Sequence, residues 1–158
     1  MDSKMVNNIS NGEALKILLV EDNPAHAEMV IRSFEINRIV NEITHVGDGE
    51  QALDYLHNRN DFSDKNKYPR PHLVLLDLRL PRVDGLQVLE KIKTSENLKS
   101  IPVVILTTSS ADMDVAKAYK CHANSYLVKP IDFDDFTRMM DELGYYWLAW
   151  NHKPSREN

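Results

Sequence analysis

The sequence predicts a doubly wound α/β domain with five parallel strands in the order 2-1-3-4-5. Three observations predict it. Five short apolar runs alternate with five stretches of helical periodicity. Such alternation implies right-handed crossovers between parallel strands, with helices on both sheet faces. The chain has 158 residues, enough for one domain with a real core. A closed eight-stranded barrel takes roughly 250.

Residues 1–14 are polar and aperiodic and read as a flexible N-terminal tail. KILLV, 16–20, is the first buried strand. Glu21, Asp22 and Asn23 follow, and Pro24 suits a first helical turn. Ala27, Val30, Ile31 and Phe34 keep helical spacing, which carries the first helix to about Asn37. EITHV, 42–46, is the second strand, and Gly47-Asp48-Gly49 a turn. Ala52, Leu53 and Leu56 make the second helix. HNRNDFSDKNKYPRP, 57–71, is long for a connection in a compact domain and reads as an extended surface loop, with a binding loop as the alternative.

Leu73-Val74-Leu75-Leu76 is the third strand, and it stops abruptly at Asp77. Leu86, Leu89 and Ile92 share one face of a third helix. Residues 102–107 form the fourth strand, ending at Thr107. Ala111 to Lys120 is a weakly amphipathic fourth helix. Residues 124–128 form the fifth strand, ending at Lys129-Pro130, and Phe133 to about Trp147 the fifth helix. The domain therefore spans 15–147, with a C-terminal tail over 148–158.

Composition narrows the function. A net charge of −5 without a basic cluster argues against a nucleic-acid partner. No apolar run approaches the roughly 18 residues of a membrane span, and the N-terminus has no signal-peptide pattern. Cys121, the only cysteine, excludes an internal disulfide and fits a cytoplasmic location. Five glycines without a phosphate-cradling cluster disfavour a nucleotide loop.

In a doubly wound sheet, ligands bind outside the carboxyl ends of the strands. Strand one ends in Glu21 and Asp22, strand three in Asp77, strand four in Thr107 and strand five in Lys129. Three crowded carboxylates repel one another unless a cation intervenes. An oxygen-only donor set suits a hard ion such as Mg²⁺. A carboxylate beside a metal, a hydroxyl and an ammonium is equipped to accept a phosphoryl group. Taken singly, each residue has a plainer reading: Glu21 and Asp22 as helix caps, Thr107 as a turn hydroxyl, Lys129 as a solvated strand-end cation. Their joint placement at successive strand ends favours the site.

These segments resemble the response-regulator receiver domain. The matching stretches are LLVEDN (18–23), LVLLDLRLPRVDG (73–85), VVILTTS (103–109) and YLVKP (126–130). The resemblance covers roughly 15–147 and implies a (βα)5 flavodoxin-like receiver fold. It implies that Asp77 is the phosphoacceptor for a sensor histidine kinase. Asp22, Glu21, Asp77 and the backbone carbonyl of Arg79 would bind Mg²⁺, Glu21 mainly through water. Thr107 and Lys129 would contact the phosphoryl oxygens, and the Lys129-Pro130 bond would be cis. Thr107 and Tyr126 would form the switch, Tyr126 turning inward as Thr107 moves. Tyr126 is otherwise a plain half-buried strand residue. Arg79 and Ser109 flank the site and would influence attack by water; Arg79 could shield the site or pair with a neighbour.

No further domain is recognisable after the fifth helix, so a stand-alone regulator is expected. The loop before strand three, the Thr107-Thr108-Ser109 run and the aromatic YYWL resemble the small regulators of bacterial and cyanobacterial phytochrome kinases. That implies a light-sensing two-component pathway. The alternatives are a non-phytochrome kinase or an intermediate place in a phosphorelay. A haloacid-dehalogenase-type phosphatase would need a second acid at position 79, which is Arg. A pseudo-receiver would lack Asp77, Thr107 or Lys129. The expectation is a signalling protein, not an enzyme of external turnover. Phe136, Met139, Met140, Leu143, Tyr146, Trp147 and Trp150 form an apolar stripe, which predicts a homodimer through the fifth strand and helix, the alternative being a tail folded back onto its own domain.

Overall fold

A computed structural model describes residues 15–36, 41–129 and 132–142. Its strands are β1 (Leu15–Val20), β2 (Asn41–Val46), β3 (Leu73–Leu76), β4 (Val103–Thr107) and β5 (Ser125–Val128). They form one parallel sheet in the order β2-β1-β3-β4-β5, as the alternation predicts. The helices are α1 (Pro24–Ile36), α2 (Gly49–Leu56), α3 (Gly85–Lys93), α4 (Asp112–Lys120) and α5, described over 133–142. Among the described residues no helix is long and apolar enough to cross a membrane.

Register brings the strand ends to one edge, β4 running two residues past the end of β3. Val20 pairs with Leu76, Leu76 with Ile105, and Thr107 with Val128. Glu21 and Asp77 just past β1 and β3, Thr107 at the end of β4 and Lys129 just past β5 therefore emerge along one rim. The ladder extends one step beyond the strands: the Asp77 amide donates to the Val20 carbonyl at 3.0 Å, and the Lys129 amide to Thr107 at 2.8 Å.

The described residues group into two compact units. One runs over Lys16–Pro24 and Ile43–Lys129. Its core joins Leu18, Val20, Val74, Leu76, Val103 and Ile105 of the sheet to Leu53, Val88, Leu89 and Ile92 of the helices. The alternate strand residues Ile17, Leu19, Leu73, Leu75, Val104 and Leu106 are buried too, which explains why the strands read as unbroken apolar runs. The other unit contains α1 from Ala25 onward and α5. There Ala27, Val30, Phe34, Phe136 and Met140 are buried, and the Arg32 guanidinium lies 5.4 Å from the Phe133 ring centroid.

Three sequence expectations change. Gly49 opens α2 rather than ending a turn, because the Asp48 carboxylate accepts the Gln51 amide at 2.8 Å and caps the helix. Val88, not Leu86, completes the buried face of α3 with Leu89 and Ile92. The 57–71 connection is not an extended loop. It contains a 3-10 turn, Asn60–Phe62, and folds Phe62 and Tyr68 onto Tyr55, with ring centroids 5.0–5.8 Å apart. The Asn58 side-chain amide donates to the carbonyls of both Phe62 and Tyr68 at 3.0 Å, which closes it.

The loop from Asp77 to α3 is pinned at both ends. An added Cβ at Gly85 would lie 2.3 Å from the Asp77 carbonyl oxygen, and one at Gly49 would lie 1.9 Å from that of Val83. Only glycine permits these approaches. Arg82 holds a left-handed φ of 68° at the loop tip, where it pairs with Asp48 at 3.7 Å and Glu50 at 3.4 Å. The Asp84 amide donates to Gln87 at 3.1 Å and starts α3.

Candidate functional site

The five strand-end residues meet. Asp77 is 8% exposed, Glu21 2%, Thr107 0% and Lys129 7%. Lys129 is therefore not a solvated strand-end cation, while Thr107 is buried and its hydroxyl also accepts the Ser109 amide at 3.4 Å as a turn hydroxyl does. Lys129 Nζ donates to Asp77 Oδ2 at 3.1 Å and also to Glu21 Oε1. The Arg79 amide donates to Asp77 Oδ1 at 3.2 Å. Glu21 Oε2 accepts the Asn23 amide at 3.1 Å, and the Glu21 carbonyl is 2.7 Å from His45 Nε2. Asp22 is exposed.

Glu21, Asp22 and Asp77 each offer a carboxylate oxygen, all within 4.8 Å of one another. Two of these three carboxylates, Glu21 and Asp77, bond the Lys129 ammonium. An all-oxygen set with excess negative charge and no His or Cys fits a hard divalent cation. Electrostatics divide the acids. Burial pushes Glu21 up to about 7, despite its bond to Lys129. Burial raises Asp77 as well, but the Lys129 charge, the Thr107 hydroxyl and the Arg79 amide together outweigh it. Its carboxyl stays below the ordinary range. Of the two buried acids, Asp77 is thus held toward its ionised form and Glu21 away from it.

A second cluster adjoins the first. Arg79 does pair with a neighbour: its Nη2 lies 3.0 Å from Asp114 Oδ2. Ser109 Oγ donates to that same oxygen at 2.6 Å, and the Ser109 amide to Thr107 Oγ1 at 3.4 Å. The Tyr126 hydroxyl donates to the Ser109 carbonyl at 2.8 Å, so Tyr126 is half-buried with its tip engaged. Sequence reasoning missed Asp114 and His45. Asp114 sits 35 residues from Arg79 in a helix with one buried residue, and no local pattern marks it. Pro130 and the stripe residues from Leu143 onward lie outside the described residues.

The architecture is a doubly wound parallel sheet with an acidic rim at the carboxyl ends of its strands. The family model of the response regulator receiver domain matches residues 17–141, and the chain belongs to that family. Among curated proteins it is similar to the probable methanogenesis regulatory protein FilR2 of Methanothrix harundinacea, with 50% identity covering 87% of this chain and 86% of the relative. It is also similar to response regulator Rcp1 of Synechocystis sp., with 39% identity over 84% and 88%. Among solved structures, the phosphorylated cyanobacterial phytochrome response regulator RcpA superposes with a TM-score of 0.80 at 34% identity, over 86% of this chain and 95% of that one. The Mn²⁺-bound form of Rcp1 gives 0.77 at 39%, over 84% and 94%.

Proposed function

We propose that this protein accepts a phosphoryl group on Asp77 from the phosphohistidine of a sensor histidine kinase. The observation that carries the reading is the buried Asp77 carboxylate between the Lys129 ammonium and the Thr107 hydroxyl. An Asp77 oxygen attacks phosphorus, the P–N bond breaks, and the imidazole leaves. Lys129 and Thr107 donate to the phosphoryl oxygens. The Arg79 amide fixes the carboxylate plane through Oδ1. Asp22, Glu21, Asp77 and the Arg79 carbonyl would hold Mg²⁺, which supplies neutralisation of phosphoryl charge when bound. The Mn²⁺ of the Rcp1 structure supports a divalent ion of this kind. So does the magnesium ion coordinated in the active-site cleft of the PA1611 receiver domain of Pseudomonas aeruginosa, with a TM-score of 0.64 at 26% identity.

Thr107 and Tyr126 form the output switch. Drawing the Thr107 hydroxyl toward a phosphoryl group strains its bond from the Ser109 amide and, through Ser109, the hold on Tyr126. The protein signals by this change and turns over no external substrate.

For the input, likeness to Rcp1 and RcpA supports a phytochrome kinase in a light-sensing pathway. A second reading, a non-phytochrome kinase or a phosphorelay, is favoured by the relative named as a methanogenesis regulator. We place the protein in the cytoplasm, away from membrane and nucleic acid, as a homodimer through β5 and α5. The edge position of β5, with Val128 41% exposed, supports that surface. Trp147→Ala with Trp150→Ala should give monomer in sedimentation equilibrium; a monomeric wild type refutes the dimer. The functional test is transfer of ³²P from autophosphorylated kinases. Label should move to wild type but not to Asp77→Asn, and fastest from the cognate kinase. Label on Asp77→Asn would refute the assignment.

A further inference from the structure

The Asp114 carboxylate is the hub of the second cluster. One of its oxygens receives both the Arg79 guanidinium, at 3.0 Å, and the Ser109 hydroxyl, at 2.6 Å. These two residues stand two positions after Asp77 and two after Thr107, so each leads directly to the phosphoacceptor rim. Arg79 reaches back through its amide to Asp77 Oδ1, and Ser109 through its amide to Thr107 Oγ1. Ser109 also holds Tyr126 through its carbonyl. Asp114 therefore ties together the loop after β3, the loop after β4, α4 and β5.

A phosphoryl group on Asp77 replaces its one carboxylate charge with close to two beside the Arg79 backbone, against the one charge of Asp114. The exposed guanidinium, with its side chain 70% accessible, can follow the larger charge. We infer that Asp114 is a positioning residue that holds Arg79 and Ser109 off the phosphoacceptor, and that phosphorylation competes with it for the guanidinium. This rests on the phosphoacceptor reading of Asp77. Linkage makes the competition reciprocal: weakening the Asp114 tie must tighten binding of a phosphoryl mimic by the same factor.

The test is calorimetric titration of the full chain with beryllofluoride in saturating Mg²⁺. Asp114→Asn keeps the shape of the side chain and the Ser109 contact but removes its charge. It should bind beryllofluoride about two- to five-fold more tightly than wild type, the range an exposed ion pair supports. Loss of simple repulsion between Asp114 and the mimic would also tighten binding, so the same change is made in Arg79→Gln. There Asp114→Asn should have no effect, because the guanidinium it restrains is gone. Equal tightening in both backgrounds, or none in either, overturns the inference and leaves the Asp77 reading standing. Absence of beryllofluoride binding by wild type itself would overturn both. A fold control comes from circular dichroism and melting of each variant; a merely structural role for Asp114 would lower melting without dependence on Arg79.

Discussion

At the scale of the residue, burial and pairing push two neighbouring acids in opposite directions. Glu21 is raised to about 7, first by burial and against the pull of Lys129. Asp77, equally buried, is held down by Lys129, Thr107 and the Arg79 amide. The consequence for stability has a definite sign. Folded Glu21 keeps a proton that the unfolded chain releases near 4.5, so its contribution is complete below about 4.5 and is lost as pH rises through about 7. Metal-free protein should therefore melt at progressively lower temperature across that window. Glu21→Gln should flatten the profile, and so should Mg²⁺, which favours the ionised acid. Parallel wild-type and Glu21→Gln profiles in thermal melts without metal would contradict this account of Glu21.

At the scale of the element, the loop from Asp77 to α3 shows which effect wins at a glycine. In an ordinary helix Gly→Ala gains about 1 kcal/mol. At Gly85 the new Cβ would meet the Asp77 carbonyl oxygen at 2.3 Å and the Leu78 Cα at 2.6 Å, so the backbone must move. Overpacking of this kind costs about 1–3 kcal/mol. Gly85→Ala should thus lower stability in urea titration and slow the proposed phosphorylation, because the atom displaced belongs to Asp77. The aromatic cluster behaves differently. Phe62→Ala removes ring contacts to Tyr55 and Tyr68 and should cost about 1–3 kcal/mol, with the phosphorylation rate unchanged. The rim was legible in the sequence because the buried strands β1, β3 and β4, and the half-exposed β5, end at residues whose chemistry is alien to an apolar run: Glu21, Asp77, Thr107, Lys129. Strand bounds shifted by one residue at Leu15, Asn41, Val103 and Ser125, where ladder bonds and not side-chain pattern decide. The order of the 57–71 segment was missed because two aromatics among many polar residues give no period, although Phe62 and Tyr68 near Tyr55 were a usable signal. Asp114 was illegible, since its partners come from two other loops.

At the scale of the molecule, parallel strands of matched register deliver residues separated by up to 108 positions to one rim, Lys129 against Glu21 being the longest span. That crowding of like charge lowers stability until a cation binds, and anything that binds only the folded state stabilises it by mass action. Mg²⁺ at about a hundredfold above its dissociation constant should stabilise the protein by about 2.7 kcal/mol. Asp22→Ala, which removes an exposed donor and disturbs no packing, should erase that response in differential scanning calorimetry. A Mg²⁺ response that survives the change would put the metal elsewhere. The central claim, that this rim exists to take a phosphoryl group on Asp77, is tested most directly by intact mass after incubation with acetyl phosphate and Mg²⁺. One acid-stable, base-labile phosphoryl adduct per chain should form on wild type, and none on Asp77→Asn or when metal is chelated. An adduct of equal yield on Asp77→Asn, or none on wild type, would contradict it.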